Sequence, residues 1–175
     1  ERNLNLVSYA LQFSFDKEDV LSKEVFLFPS QQFNFDHISS SKKNILLILG
    51  ASYPAKSYSI EKFVELTKQI DANFLTIWGS EKERIIANEI KQLSSTVKVL
   101  EELSFDGLIS LISQVDLVIG PDTGTTHMAW ALNIPSITLF GSTPGYRNAY
   151  ETEINKILES DSIVNPLKIN LKESM

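Results

Sequence analysis

The sequence contains no cysteine and only two histidines among its 175 residues. The absence of cysteine excludes disulfide bonds and thiolate metal sites. It is compatible with a reducing compartment, where disulfide bonds are rare. We expect no bound metal, because no spacing of histidines and acidic residues resembles a known ligand pattern.

Long apolar runs and an excess of positive charge are also missing. No window of about 18 apolar residues appears, so we expect no transmembrane segment. The formal net charge is −6 and the calculated pI is about 5.0. This balance argues against nucleic acid as a partner and against a polybasic membrane patch. An anionic ligand would therefore have to be bound locally, by a few lysines and backbone N–H groups.

Hydrophobic residues make up 43% of the chain, which is enough for the core of one ordinary domain. No secretory signal is visible, and the chain opens on Glu1 within a segment that reads as the middle of a longer protein. We therefore expect a fragment. We interpret residues 1–43 as the end of a connection between domains, 44–150 as the main domain, and 151–175 as a C-terminal helix and tail.

Short apolar runs alternate with amphipathic segments from Asn44 to Phe140. Strands that are apolar throughout indicate a parallel sheet buried on both faces, and alternation with helices indicates βαβ units. The prediction is an α/β, Rossmann-like, doubly wound parallel sheet of five strands. Outside this region we expect a helix over 3–13, a possible strand over 24–28 and a possible helix over 151–160.

Glycines and small polar residues follow the predicted strands, as in the segments that begin at Gly50, Gly79, Gly120 and Gly141. Ligands of such sheets bind outside the carboxyl ends of the strands. Strand ends attract turn residues in any fold, however, so this concentration also fits ordinary connections. The common fingerprints GxGxxG, GxxxxGK[ST] and GxSxG are all absent.

The stretch GPDTGTTH, residues 120–127, lies between a predicted strand and an apolar helix. Gly124 would let the backbone turn sharply and approach a ligand, and the N–H groups of the following helix would favour an anion. The alternative is that Asp122 or Thr123 only caps the helix. For His127 a packed, hydrogen-bonded role is favoured over a ligand contact.

Two charged residues near other strand ends also have two interpretations. Lys56 follows the first strand and is either a solvated lysine or a phosphate contact. Glu81 opens a helix after Gly79, where its negative charge interacts favourably with the helix dipole. Its carboxylate could also accept hydrogen bonds from ribose hydroxyls.

Three segments together, GASYPAKSY, WGSEKE and DLVIGPDTGTTHMAWALNIPSITLFGSTPGY, resemble the bacterial ADP-heptose heptosyltransferases. These are inverting glycosyltransferases of the two-domain GT-B architecture that build the inner core of lipopolysaccharide. The resemblance covers residues 44–146 and identifies them with the C-terminal, donor-binding domain. One departure is Ala51, where the family commonly has a threonine, so one hydroxyl contact is missing.

The resemblance implies a role for each matched position. Lys56 would bind the donor diphosphate with Ser52 nearby, Glu81 would bind the ribose, and Leu103 would lie near the adenine. Asp122 would contact heptose hydroxyls, His127 would support that loop, and the phosphates would be held by Thr123, Gly124 and Thr125.

The resemblance also implies the partners and the reaction. The donor would be ADP-heptose and the acceptor Kdo of the lipid A core, with no cofactor, at the cytoplasmic side of the inner membrane. The family's catalytic base lies in the N-terminal domain, so this chain alone would be inactive. Two alternatives stay open: a nucleotide-binding module without catalysis, and a GT-B relative that uses another donor such as a UDP-sugar.

Overall fold

A computed structural model describes residues 2–51, 54–141 and 143–160 of the chain. The segment 161–175, where the tail was predicted, lies outside the described residues. Within the described part six strands form one sheet: β1 Asn44–Leu47, β2 Asn73–Thr76, β3 Val97–Val99, β4 Leu117–Pro121, β5 Ser136–Phe140 and β6 Asn155–Glu159.

Helices precede and separate these strands. The α-helices are α1 Arg2–Leu11, α2 Lys17–Leu21, α3 Ile60–Gln69, α4 Glu81–Leu93, α5 Phe105–Ile112 and α6 Gly124–Ala131. Two short 3₁₀ turns span Pro54–Lys56 and Gly145–Arg147. The helix predicted near the start of the chain is confirmed as α1.

The strand order across the sheet is β3-β2-β1-β4-β5-β6, and every neighbouring pair is parallel. This is the order of a Rossmann-type doubly wound sheet, which confirms the predicted fold class. The chain moves outward from β1 through β2 to β3 and then returns to place β4 on the other side of β1. The direction of winding therefore reverses between β1 and β4.

The central strands β1, β2 and β4 are buried on both faces, which explains their mainly apolar sequences. Successive β1 residues point to opposite sides, since Leu47 packs in one core cluster with Phe63 and Phe74. Leu46 packs in the other with Leu75 and residues of α5 and α6. Each of these side chains is at most 1% exposed.

The helix predicted over 151–160 is wrong, because the structure places strand β6 there. Ile154, Ile157 and Leu158 suit a helical face and a strand equally well in sequence. The deciding factor is the open edge of β5, whose backbone groups pair with β6 from Ser136 to Phe140. The sheet therefore extends beyond residue 150, where the main domain was expected to end.

The strand predicted over 24–28 is also absent from the sheet. The alternation that suggested it is real, since Val25 and Leu27 pack against the α5 and α6 side of the core while Phe26 and Phe28 are exposed. The segment lies beside the end of α6 rather than beside a strand, and Phe26 N donates to Ala131 O.

The first 43 residues carry α1, α2 and an extended segment tied to the sheet domain. Phe33 N donates to Ser110 Oγ at 3.0 Å, and Lys23 packs over the ring of Trp130. Whether this region is the end of a connection between domains stays a prediction. No helix in the described ranges is long and apolar enough to cross a membrane.

Candidate functional site

The candidate site lies where the winding direction of the sheet reverses, between the carboxyl ends of β1 and β4. Ligands of doubly wound sheets bind at this switch point. The turn after β1 leads to Lys56, and β4 ends directly before Asp122. The two segments are far apart in sequence and meet here because β1 and β4 are neighbours.

Asp122 is the centre of a hydrogen-bond cluster in this crevice. Its Oδ2 lies 2.6 Å from Lys56 Nζ, and it accepts from Asn148 Nδ2 at 2.8 Å and from Thr143 Oγ1 at 3.4 Å. Its Oδ1 lies 2.9 Å from His127 Nε2. The Asp122 side chain is only 6% exposed, so these partners replace the water that a carboxylate needs.

The cluster keeps the Asp122 carboxyl group ionised. Burial alone would raise its pKa, but the hydrogen bonds it accepts and the nearby Lys56 ammonium outweigh this effect and lower the pKa to about 2. An ionised carboxylate can only accept hydrogen bonds, so His127 donates from Nε2. At neutral pH the crevice therefore holds a fixed acceptor balanced by one ammonium group.

The start of α6 differs from the starts of α2 to α5. Thr123 is its N-cap residue, with extended backbone at φ −138° and ψ 160°, yet among the described residues no side-chain cap hydrogen bond is made there. The helices that begin after Asp16, Ser59, Ser80 and Ser104 all have such a side-chain cap. The N-terminus of α6 thus keeps donors for an anion.

Two glycines shape this turn in different ways. A Cβ at Gly120 would lie 2.5 Å from Ile48 Cβ and 2.7 Å from Thr126 Oγ1, so the absence of a side chain lets α6 pack closely on the sheet. A Cβ at Gly124 would meet no atom of the described residues within 4 Å. Gly124 has no positive φ, so the sharp turn expected there is not what requires glycine. The space around it is open to a ligand.

Two clefts open on the carboxyl side of the sheet and share Thr123 as a common wall. The larger has a volume of about 1350 Å³ and contains the Asp122 cluster. The smaller has a volume of about 380 Å³ and lies between the ends of β1 and β2 and the start of α5. Its wall combines apolar side chains with polar groups, as in sites for small organic ligands.

The structure brings most of the predicted site residues to these clefts. Five of them lie in the wall of the larger cleft: Lys56, Asp122, Thr123, Gly124 and His127. Three lie in the wall of the smaller cleft: Leu103, Thr123 and Thr125. Glu81 lies outside both walls, with its carboxylate held by Arg84 at 2.6 and 2.8 Å. Ser52 lies outside the described residues.

Three polar residues that contact Asp122 or line the smaller cleft were not predicted from the sequence. Asn148 and Thr143 reach Asp122 from the segment after β5, and only the path of the folded chain brings them there. Glu83 lines the smaller cleft and accepts from Gly79 N at 2.7 Å. The sequence contained a sign of this position, because Ser80 and Glu83 have the spacing of a capping box at a helix start.

Comparison with known proteins connects this geometry to one family. The model of glycosyltransferase family 9 (heptosyltransferase) matches residues 1–165 of the chain. Lipopolysaccharide heptosyltransferase 1 of Campylobacter coli is 37% identical over 179 residues, which cover 91% of this chain and 51% of that protein. The chain thus spans about half the length of this relative.

Solved structures of similar fold include two heptosyltransferases of E. coli. The heptosyltransferase WaaC with ADP-2-deoxy-2-fluoro heptose matches with a TM-score of 0.64 and 20% identity, over 87% of this chain and 46% of that one. The ADP-heptose lps heptosyltransferase II matches with a TM-score of 0.60 and 23% identity, over 75% of this chain and 45% of that one. At these identities the likeness shows a shared fold. The match over residues 1–165 shows more: the chain belongs to glycosyltransferase family 9, the heptosyltransferase family.

Proposed function

We propose that this chain is the donor-binding half of an inverting heptosyltransferase that uses ADP-L-glycero-β-D-manno-heptose in the synthesis of the lipopolysaccharide inner core. The observation that carries the proposal is the cluster around Asp122, which places an ammonium group and an ionised carboxylate beside the uncapped start of α6. The ammonium group suits the negative charge of a diphosphate, and the carboxylate suits the hydroxyl groups of a sugar.

The diphosphate of the donor would lie between Lys56 and the first turn of α6. Both features favour negative charge, and the lysine ammonium has three donors. It can therefore bind a phosphate oxygen while keeping its contact with Asp122 at 2.6 Å. The open space beside Gly124 allows the phosphates to approach the helix backbone.

The heptose would lie in the larger cleft, next to the Asp122 carboxylate. Because this carboxylate is ionised, it accepts hydrogen bonds from sugar hydroxyls, which are donors. Its bonds to His127 and Asn148 hold it in one orientation. A cleft of about 1350 Å³ leaves room for the sugar and for an approaching acceptor.

In the proposed reaction an acceptor hydroxyl oxygen attacks the anomeric carbon of the heptose. The bond from this carbon to the β-phosphate oxygen breaks, ADP leaves with the electron pair, and the configuration inverts. Lys56 and the α6 N–H groups would stabilise the negative charge that grows on the leaving diphosphate. The hydroxyl proton would pass to a base in the other half of the enzyme.

The acceptor in this proposal is Kdo of the lipid A core, met at the cytoplasmic face of the inner membrane. Support comes from the name of the Campylobacter coli relative, lipopolysaccharide heptosyltransferase 1. Because the chain spans about half of that protein, we assign the acceptor site and the base to the half that it does not span.

Replacement of Lys56 tests the proposal. We expect Lys56→Ala to weaken ADP binding at least about tenfold in a calorimetric titration, since a hydrogen bond to a charged group contributes about 1.5–3 kcal/mol. The matched control is Lys68→Ala, which removes an exposed lysine at the end of α3. It should leave ADP binding unchanged.

Lys56→Ala also leaves Asp122 buried without its counter-charge, so urea unfolding of the variant must show a folded protein before binding is compared. A folded Lys56→Ala variant that binds ADP as tightly as the wild type would overturn the proposal. So would unchanged heptose transfer by the same variant in the two-domain enzyme.

A further inference from the structure

The 3₁₀ turn after β5 is held in place at the edge of the larger cleft. Glu159, at the end of β6, accepts a hydrogen bond from Gly145 N. Within the turn, Asn148 N and Ala149 N both donate to Gly145 O at 3.0 Å. A Cβ at Gly145 would lie only 2.6 Å from Ile157 Cγ2, so β6 packs directly against this backbone. The position of the turn is therefore set by the edge of the sheet.

Arg147 extends from this turn and forms part of the wall of the larger cleft. The residue is exposed, and its side chain forms no hydrogen bond or ion pair with another described residue. The next residue, Asn148, donates to Asp122 Oδ2 at 2.8 Å. Arg147 thus brings a guanidinium group with unused donors to a point one residue away from a direct contact with the site.

The carboxylates of the same wall already have partners. Four described acidic residues line the larger cleft, and the group that each one contacts is Asp19 N for Asp16, Lys56 for Asp122, Lys156 for Glu151 and Gly145 N for Glu159. Among the cations of the wall, Lys56 is paired with Asp122. Lys17 and Arg147 form no ion pair with another described residue. A further anion in this cleft would therefore be met locally, by one of these two side chains.

Arg147 is better placed than Lys17 for a ligand of the site. Lys17 begins α2, and no hydrogen bond in the described chain joins α2 to the Asp122 cluster. Strand β5 flanks β4 on the side away from β1, so the turn after β5 reaches Asp122 from the side opposite to Lys56. In the proposed complex Lys56 binds the leaving diphosphate. Because inversion requires attack from the side opposite the leaving group, Arg147 lies on the side from which the acceptor arrives.

We propose that Arg147 binds the carboxylate of the acceptor sugar and thereby helps to select an acidic sugar as the acceptor. A guanidinium group can donate two parallel hydrogen bonds to one carboxylate, which suits a sugar acid such as Kdo. This proposal rests on the proposed function, because it specifies the acceptor chemistry at the same site. The half of the enzyme that the chain does not span would still provide the base and the remaining acceptor contacts.

The test measures heptose transfer by the two-domain enzyme with ADP-heptose as the donor. Each variant is assayed with Kdo-lipid A and with the same acceptor after its Kdo carboxylates are converted to methyl esters. We expect the wild type to prefer the free acid at least about tenfold in kcat/KM, because the ester cannot form the charged hydrogen bonds. Arg147→Gln should lower kcat/KM for the acid about tenfold and leave that for the ester nearly unchanged. The KM for ADP-heptose should stay at the wild-type value.

Two further variants serve as controls. Arg147→Lys keeps the charge without the planar fork, so its preference for the acid should lie between those of the wild type and Arg147→Gln. Arg84→Gln is the matched control, because Arg84 is an exposed arginine outside the wall of the larger cleft. It should keep the full preference for the acid. Thermal unfolding should show that all three variants are folded.

The outcomes separate this inference from the proposed function. If the wild type transfers heptose equally well to the acid and the ester, or if Arg147→Gln keeps the full preference, the assignment of Arg147 is overturned and the proposed function stands. A raised KM for ADP-heptose with an unchanged preference would place Arg147 at the donor and overturn it as well. If the wild type transfers no heptose from ADP-heptose, the proposed function fails and this inference fails with it.

Discussion

At the scale of single residues, Asp122 has the most demanding environment in the site. A carboxylate with a 6% exposed side chain is stable only if hydrogen bonds and an opposite charge replace its hydration. Lys56, His127, Asn148 and Thr143 provide these contacts from three separate segments. The ionisation of Asp122 is therefore a measure of whether the crevice is assembled.

The lowered pKa of Asp122 predicts a pH dependence of stability. The pKa falls from 3.8 to about 2 on folding, so the stabilisation is fully present above the unfolded value and is lost as the pH falls through the folded value. The shift corresponds to about 2 kcal/mol. We expect the free-energy difference between the wild type and Asp122→Asn to shrink by about this amount from pH 6 to pH 2, measured by urea unfolding.

The control for this experiment is Asp71→Asn, because the Asp71 side chain is 85% exposed and pairs only with exposed Lys42 in the described structure. At neutral pH it should change the free energy of unfolding by less than about 0.5 kcal/mol. A difference between the wild type and Asp122→Asn that stays constant from pH 6 to pH 2 would show that the cluster does not hold this carboxylate ionised.

Individual site residues were predictable where they share a short segment, and less so where the folded chain brings them together. The stretch GPDTGTTH placed Asp122 and His127 at one strand end, and the order of the strands explains their contact with Lys56. Asn148 could not be found in this way, because it is 26 residues from Asp122 and depends on the turn before β6.

At the scale of elements, the beginning of α6 links the fold to the proposed binding. A helix start without a side-chain cap keeps its N–H groups available, which lowers the helix's own stability by about 1 kcal/mol relative to a capped start. This arrangement favours a ligand over local stability. The neighbouring helices α3, α4 and α5 are capped by serines.

Gly124→Ala separates these two roles. A Cβ at Gly124 meets no atom of the described residues within 4 Å, and alanine has a higher helix propensity than glycine. The variant should therefore be as stable as the wild type or slightly more stable. In the proposed complex the same Cβ projects toward the phosphates. We expect at least about tenfold weaker ADP binding, which corresponds to about 1.4 kcal/mol.

Thermal unfolding of the Gly124→Ala variant measures its stability, and titration of the same sample measures its affinity for ADP. Stable protein with unchanged ADP affinity would mean that the phosphates do not approach the start of α6.

The elements of the sheet were predictable to the extent that burial determines sequence. Strands β1 to β5 were found because they are mostly buried, β1 and β2 at every position, and burial on both faces favours apolar runs. The edge strand β6 was missed because most of its residues are exposed or half-buried, and apolar spacing alone did not distinguish it from a helix. Its conformation is decided by pairing with β5.

At the scale of the whole molecule, the parallel order β3-β2-β1-β4-β5-β6 unites the separate features. It brings the turns after β1 and β4 together at the switch point and leaves one cleft on each side of Thr123. The sequence predicted this architecture through the alternation of strands and helices. The division into two clefts could not be predicted, because it depends on where loops close around the strand ends.

In the proposed function the donor would lie across both clefts, with the nucleoside in the smaller cleft, the diphosphate at Thr123 and the sugar in the larger cleft. Membership of glycosyltransferase family 9 agrees with this order, and the chain spans about half the length of its Campylobacter coli relative. The central claim is therefore that this half alone holds a nucleotide sugar, with both ends of the ligand recognised.

The most direct test is a calorimetric titration of this protein with ADP, UDP and ADP-heptose. We predict saturable binding of ADP-heptose at least as tight as that of ADP, because Asp122 adds contacts to the sugar, and binding of UDP at least about tenfold weaker. Equal affinity for UDP would contradict the adenine nucleotide specificity. Absence of binding by all three ligands would contradict the claim that this chain forms the donor site.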